Sequence, residues 1–259
     1  MSSRDIQMDK ELKKQLDDFH EKTAAVAQDI LFNKFPRKVL QLQELITSTS
    51  ESSSPFHVSN LSTDTTVYPS PATTSDEPES KKRKLTDGAH NGRTSYDGTG
   101  ASHTHEGARF TNQMIANPHI QKVHNILKVE CEELADCIDK VKLWINLSMP
   151  KIEDGDNFGV QIQEEVLNEL HRSQESAYNL RDAARQSHFN RAKLCSKMIK
   201  YPHIEDYALA LKEHDQKQLY VAKQNLYDIR NVYAILTDIL HKNIGKLRSP
   251  KGNNATGMY

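Results

Sequence analysis

The sequence predicts an all-α fold: an elongated four-helix bundle with a long disordered insert between its first and second helices. Three observations carry that reading. Apolar residues recur every three or four positions through four long stretches, strand-like alternation appears nowhere at useful length, and Pro- or Gly-bearing breaks separate the stretches.

The first stretch runs Leu12, Leu16, Phe19, Thr23, Val26, Ile30, alternating steps of four and three, which places these residues on one helical face. Pro36 cannot donate to the turn before it. The pattern resumes at Val39, Leu40, Leu42, Leu45 and Ile46, so residues 1–46 hold either one helix kinked near Phe35 or two helices broken there.

Residues 47–111 differ in kind. About half of Thr47 to Ser80 is Ser or Thr, and Pro55, Pro69, Pro71 and Pro78 recur without a period. A segment with so little apolar area cannot offset its ordering entropy, and a disordered insert or long flexible connection is expected. Inside it lies a compact cation cluster, Lys81, Lys82, Arg83 and Lys84, followed by Leu85. Such a cluster in an accessible setting is what a nuclear import receptor reads; the plain alternative is a solvating charge run.

Residues 112–248 should supply the other three helices. The second runs from about Thr111 to Ser148 through Ile120, Val123, Leu127, Leu134, Ile138, Val141 and Ile145. The third runs from Val160 to about Lys200 and is polar in its middle, at Gln174, Glu175, Arg181, Asp182, Arg185 and Gln186. That face would suit a wet channel or a neighbouring subunit. Tyr201-Pro202-His203 ends it, and Glu205 and Asp206 favour the first turn of a fourth helix carrying Tyr207, Leu211, Ala222, Leu226, Ile229, Val232, Leu236, Ile244 and Leu247. Helices of about 35 residues span about 50 Å each, so the bundle is a slender rod that gains by lining up with copies of itself. Pro250 and Gly252 then release residues 249–259 as a flexible tail.

Composition narrows the function. Formal net charge is -1, from 34 basic and 35 acidic residues, so no global field exists to hold nucleic acid. No run of about 18 apolar residues and no N-terminal apolar segment points to a membrane or to secretion. Cys131, Cys137 and Cys195 lack CxxC spacing and are expected as reduced thiols in a cytosolic or nuclear setting. The sequons at Asn60, Asn146 and Asn254 are then chance matches. The 12 histidines include no HExxH or zinc-spaced Cys/His pair, and neither a nucleophile elbow nor a phosphate-cradling Gly loop is present. The chain is not expected to be an enzyme or to need a cofactor or metal.

The most specific segment is Pro150 to Glu165, PKIEDGDNFGVQIQEE, set between the second and third helices. Gly155 and Gly159 permit positive φ or close backbone approach, and Asp154, Asp156 and Asn157 are turn formers, so a defined, presented turn is expected. Asp154, Asp156, Gly159 and Glu165 also fall at the first, third, sixth and twelfth positions of a calcium-binding loop. The match fails at Phe158, where an oxygen donor is needed, and at Gln161, where an apolar residue packs.

IEDGDNFGVQIQEE resembles the activation loop of the REG-type (eleven-S) proteasome activators. The resemblance extends through RAKLCSKMIKYPHIEDY (Arg191 to Tyr207), LYDIRNVYAILTDILHKNIGKLRSP (from Leu219), LFNKFPRKVLQLQELI (Leu31 to Ile46) and the terminal Tyr259, roughly three quarters of the chain. The cluster Lys81 to Lys84 sits in the divergent insert where the nuclear gamma subtype carries a similar one.

This resemblance implies a homo-heptameric ring that caps the core 20S proteasome on its alpha-ring and admits peptides and unstructured proteins without ATP. Residues 1–46 would be the family's alpha region and 112–248 its beta region. Gly257, Met258 and Tyr259 would dock in pockets of the proteasome's outer ring. The loop Lys151, Ile152, Glu153, Asp154, Gly155, Asp156, Asn157, Phe158 and Gly159 would open the gate. Where the family carries Gly-Asn-Asn-Phe, this chain has Gly155-Asp156-Asn157-Phe158, a charge in place of an amide donor. Nuclear residence with some cytoplasmic protein follows from the gamma-like cluster. A nuclear helical scaffold that binds client proteins is the competing reading.

Overall fold

The computed structural model describes residues 8–69, 112–151 and 157–251. Its helices are α1 (Lys10–Asp29), a π-helical turn (Ile30–Lys34), α2 (Phe35–Ser48), α3 (Pro118–Leu147), α4 (Phe158–Lys200) and α5 (Glu205–Arg248), with one 3-10 turn at Val58–Asn60. The run from α1 to α2 acts as one long first helix, and with α3, α4 and α5 it forms the four-helix bundle that periodicity predicts. At 43 and 44 residues, α4 and α5 each extend roughly 65 Å.

The irregularity in the first helix lies upstream of Pro36 and takes the form of a π-turn. Because Pro36 lacks an N–H, a carbonyl one turn earlier loses its donor. His241 of α5 supplies one, its Nε2–H donating to Leu31 O at 2.8 Å. Phe32 then stacks on the same imidazole, ring centroids 4.9 Å apart. Further along, Lys34 pairs with Glu133 at 3.1 Å and Lys38 with Glu130 at 2.8 Å, which fixes the first helix antiparallel to α3.

The core follows Ala27, Leu31, Phe35, Leu42, Leu134, Ile138, Leu170, Leu226 and Tyr233, all nearly or fully buried. The N-terminal stripe departs from expectation: Leu12, Leu16, Phe19 and Val26 are 40–48% exposed. The periodicity is real, but the described residues do not cover it. The polar middle of α4 is also split. Glu175, Arg181, Asp182, Arg185 and Gln186 face outward, whereas Gln174 turns in and donates to Ala135 O at 3.2 Å.

The expectation of disorder across 47–111 needs correction at both margins. Residues 49–69 pack on the bundle: Phe56 is fully buried, and Asn60 Nδ2 donates to the carbonyls of Ser52 and Ser54 at 2.7 and 2.9 Å. One apolar plug and local side-chain hydrogen bonds order a stretch that composition alone reads as coil. Residues 70–111, including Lys81 to Lys84, lie outside the described residues.

At the other margin, α3 starts at Pro118 rather than near Thr111. Asn117 caps it, accepting from His119 N and Ile120 N, and Pro118 sits where no N–H is needed. Tyr68 and Gln113 exchange both backbone hydrogen bonds at 2.8 Å, drawing the two margins together.

A buried cluster holds these margins down. Asp215 of α5 is fully buried and accepts from Arg191 Nε at 3.0 Å, Asn117 Nδ2 at 2.7 Å and Thr63 Oγ1 at 3.0 Å. Arg191 also donates to Ile115 O at 3.0 Å, so one ion pair ties α4, α5 and both margins together.

Candidate functional site

The singled-out loop leaves α3 after Leu147 and returns at Phe158, so it hangs from one end of the bundle. Ser148 closes α3, its N–H and hydroxyl both donating to Trp144 O. Lys151, Asn157, Phe158 and Gly159 are described; Ile152, Glu153, Asp154, Gly155 and Asp156 lie outside the described residues. Helix α4 begins two residues before the expected Val160. Asn157 occupies its N-cap, with the backbone carbonyl accepting from Gln161 N at 2.9 Å while the side chain makes no capping bond. Phe158 is 56% exposed.

Gly159 is buried and helical, and its contribution is close approach. A Cβ at this position would lie 2.6 Å from the carbonyl carbon of Pro250 and 2.7 Å from its Cα, and nearer still to its oxygen. Real Cβ atoms do not come so near backbone, so only glycine lets the first turn of α4 touch the residue that ends α5. One turn on, fully buried Gln163 donates from Nε2 to Leu247 O at 3.0 Å, satisfying a carbonyl that the end of α5 leaves open.

These two contacts join segments about 90 residues apart in sequence. The descending arm of the loop and the root of the tail become one rigid unit. Beside it, Phe32 carries the Arg248 guanidinium 5.7 Å from its ring centroid, linking the first helix to the same end. Periodicity had no means of pairing Gly159 with Pro250 or Gln163 with Leu247. The one available signal was Gly159 itself, a glycine placed where a helix begins. Tail residues Gly257, Met258 and Tyr259 lie outside the described residues.

Titratable groups cluster elsewhere, across α3, α4 and α5. His124 is buried, its ring 5.6 Å from that of His188 in an edge contact, and its Nδ1 has no hydrogen-bond partner among the described residues. Burial first, then the nearby His188 and Lys128, hold its pKa down to about 4. Burial likewise lowers His188 and His214, the latter 3.4 Å from Ser187 Oγ. Among the described residues no group of three His, Cys, Asp or Glu side chains is arranged to hold a metal, and no helix is long and apolar enough to cross a membrane.

Comparison with known proteins places this geometry. Residues 10–63 match the family model described as proteasome activator PA28, N-terminal, and residues 113–257 match proteasome activator PA28, C-terminal. The chicken protein named proteasome activator complex subunit 3 is 34% identical, the alignment covering 98% of each chain. Among solved structures, the 11S subunit of the Plasmodium falciparum proteasome, PA28, is 29% identical with a TM-score of 0.71, covering 97% of this chain and all of the other. A chain in the crystal structure of the yeast 20S proteasome in complex with the activator PA26 from Trypanosoma brucei shares the fold alone. Its TM-score is 0.50 at 13% identity, covering 55% of this chain and 71% of that one.

Proposed function

This chain belongs to the PA28 proteasome activator family, a family of regulators rather than catalysts, and from that premise we propose how its parts divide the work. Copies of the chain assemble into a seven-membered ring on the outer ring of the 20S proteasome. Tail residues Gly257, Met258 and Tyr259 dock, and the loop Lys151 to Gly159 presses on the gate. Peptides and unstructured proteins then enter without ATP hydrolysis.

The observation that best supports this division is the contact of Gly159 with Pro250, seconded by Gln163 on Leu247. An activator must hold on and open at the same time. A tail rooted against the base of the loop transmits docking directly into the loop's position, so the loop meets the gate at a set height. Opening then requires that the loop favour the open arrangement over the closed one, since equal contact with both would shift nothing. Weak single tails suffice because the ring repeats them.

The test is peptide hydrolysis by purified 20S proteasome with and without the recombinant chain, alongside co-sedimentation of the two. The full chain should bind and stimulate; the chain lacking Gly257 to Tyr259 should keep its mass in solution and lose both. A full chain that neither sediments with nor stimulates the core particle would overturn the reading. A scaffold that merely binds clients is not favoured, since the activator resemblance spans both family regions.

We further propose that Lys81, Lys82, Arg83 and Lys84 engage an import receptor and hold the protein mainly in the nucleus. Lys82→Ala with Arg83→Ala should move it to the cytoplasm without altering assembly. Unchanged nuclear imaging would remove this part.

A further inference from the structure

One stretch of α1 is left uncovered by the described residues of its own chain. Every residue from Met8 to Lys22 is exposed, whereas Ala27, a turn further on, is fully buried. The ion pairs of Lys34 and Lys38 with α3 set the direction, so α1 runs past Leu147 at the same end as the loop and the tail root. About 13 helical residues extend roughly 20 Å beyond the packed core.

This overhang is not a polar extension. Leu12, Leu16 and Phe19, 48%, 40% and 47% exposed, form a seam with heptad spacing, bordered by Lys13 and His20 on one side and by Glu11 and Lys22 on the other. Lys14, Asp17, Asp18 and Glu21 fall on its back. It is thus an apolar strip with one lysine on each side, and an exposed apolar strip of this kind marks an interaction surface.

A fitting surface occurs at the same end. Helix α4 opens with Phe158, 56% exposed, and turns Glu164 and Glu165 outward within its first two turns. Within one chain α1 packs chiefly against α3, and α4 lies between α3 and α5.

We propose that the overhang of one copy seats on the start of α4 of the adjacent copy, its flanking Lys13 and Lys22 against Glu164 and Glu165. The surfaces are unlike, so the contact is heterologous and repeats around a ring. A helix of four turns buries only a few hundred Å², below the roughly 800 Å² per partner of a self-sufficient interface, so it is one part of a larger subunit contact. Its particular consequence is that each loop is braced from two sides, by its own Pro250 and by the neighbour's α1.

This rests on the ring reading above, and its test is solution mass in the absence of proteasome. By native mass spectrometry of the full chain, Leu12→Ser with Leu16→Ser and Phe19→Ser should shift the ring to smaller species, with self-association at least ten-fold weaker. Lys13→Glu with Lys22→Glu should weaken it less, and adding Glu164→Lys with Glu165→Lys should restore the ring. That rescue separates a direct contact from mere loss of helix.

A ring of native mass in the triple variant overturns the proposal and leaves the activator reading intact. So does a ring of native mass that no longer binds the core particle, which would make the proteasome the occupant. Absence of charge rescue overturns the assignment to α4. A native chain that is monomeric removes the ring reading itself.

Discussion

Replacing Gly159 with alanine tests whether the loop and the tail are one unit. The added methyl would sit 2.6 to 2.7 Å from Pro250 backbone atoms, whereas ordinary contact needs about 3.4 Å or more. Pro250, whose oxygen lies nearer still, must therefore retreat by more than about 1 Å, or α4 must lose its first turn. Overpacking of this kind costs about 1–3 kcal/mol, while alanine in place of glycine returns up to about 1 kcal/mol of helix propensity. The net is a loss of about 0–3 kcal/mol, concentrated at the tail root.

Gly245 provides the control. It lies in α5, and nothing stands within 4 Å of where its Cβ would be, so Gly245→Ala should be neutral or stabilising by up to about 1 kcal/mol. Urea unfolding, co-sedimentation with 20S proteasome and peptide hydrolysis would be measured on both variants. Gly159→Ala should fold and assemble yet stimulate several-fold less than Gly245→Ala. If the two variants stimulate equally, the contact at Pro250 does not position the loop and the mechanism drawn from it is wrong.

Three further outcomes are expected. Asn157→Tyr should bind the core particle normally and stimulate poorly, because the side chain at this N-cap is not needed to cap α4 and its bulk alters only the loop's outward shape; equal binding and stimulation would remove the loop as gate opener. Arg191→Met should cost about 3–5 kcal/mol by leaving Asp215 charged and buried without its ion-pair partner, seen as a lower urea midpoint, and a midpoint within experimental scatter of the native one would show the pair to be dispensable. Acid should destabilise the bundle: His124 is held below its ordinary value of 6.5 to about 4, so the unfolded chain takes up the proton first. The stability this lends is complete above about pH 6.5 and is lost as pH falls towards 4, by up to about 3 kcal/mol from this residue. Melting temperature followed from pH 7.5 to 4.5 should fall, less so in His124→Gln, and a flat profile in the native protein would contradict the burial argument.

The four helices were legible because their apolar residues repeat and because Pro36, Pro150 and Pro202 mark the breaks. What periodicity could not convey was which surface covers a stripe: Leu12, Leu16 and Phe19 carry the same signal as the buried helices yet stand exposed. The order of residues 49–69 was illegible for a different reason. It depends on one phenylalanine and on a carboxylate at Asp215 more than 140 residues away, and composition averages over both. At the site, the sequence singled out Gly159 but not its partner, since close approach is a property of two segments. The loop interior, the tail tip and the cation cluster lie outside the described residues, and the roles proposed for them come from the family resemblance.

The paired backbone of Tyr68 and Gln113 has a consequence for how this chain can change over evolutionary time. Because the two margins are already joined by two hydrogen bonds and pinned through Asp215, the 42 residues from 70 to 111 close a loop whose ends the bundle itself holds together. Loop-closure entropy grows only logarithmically, about 0.6 kcal/mol for each doubling of length. The position therefore behaves as a cassette: its contents can be lengthened, shortened or exchanged for an unrelated sequence at almost no expense to the bundle. A lineage could acquire a new address or a new regulatory input there while the end of the molecule that carries Gly159 and Pro250 stays as it was.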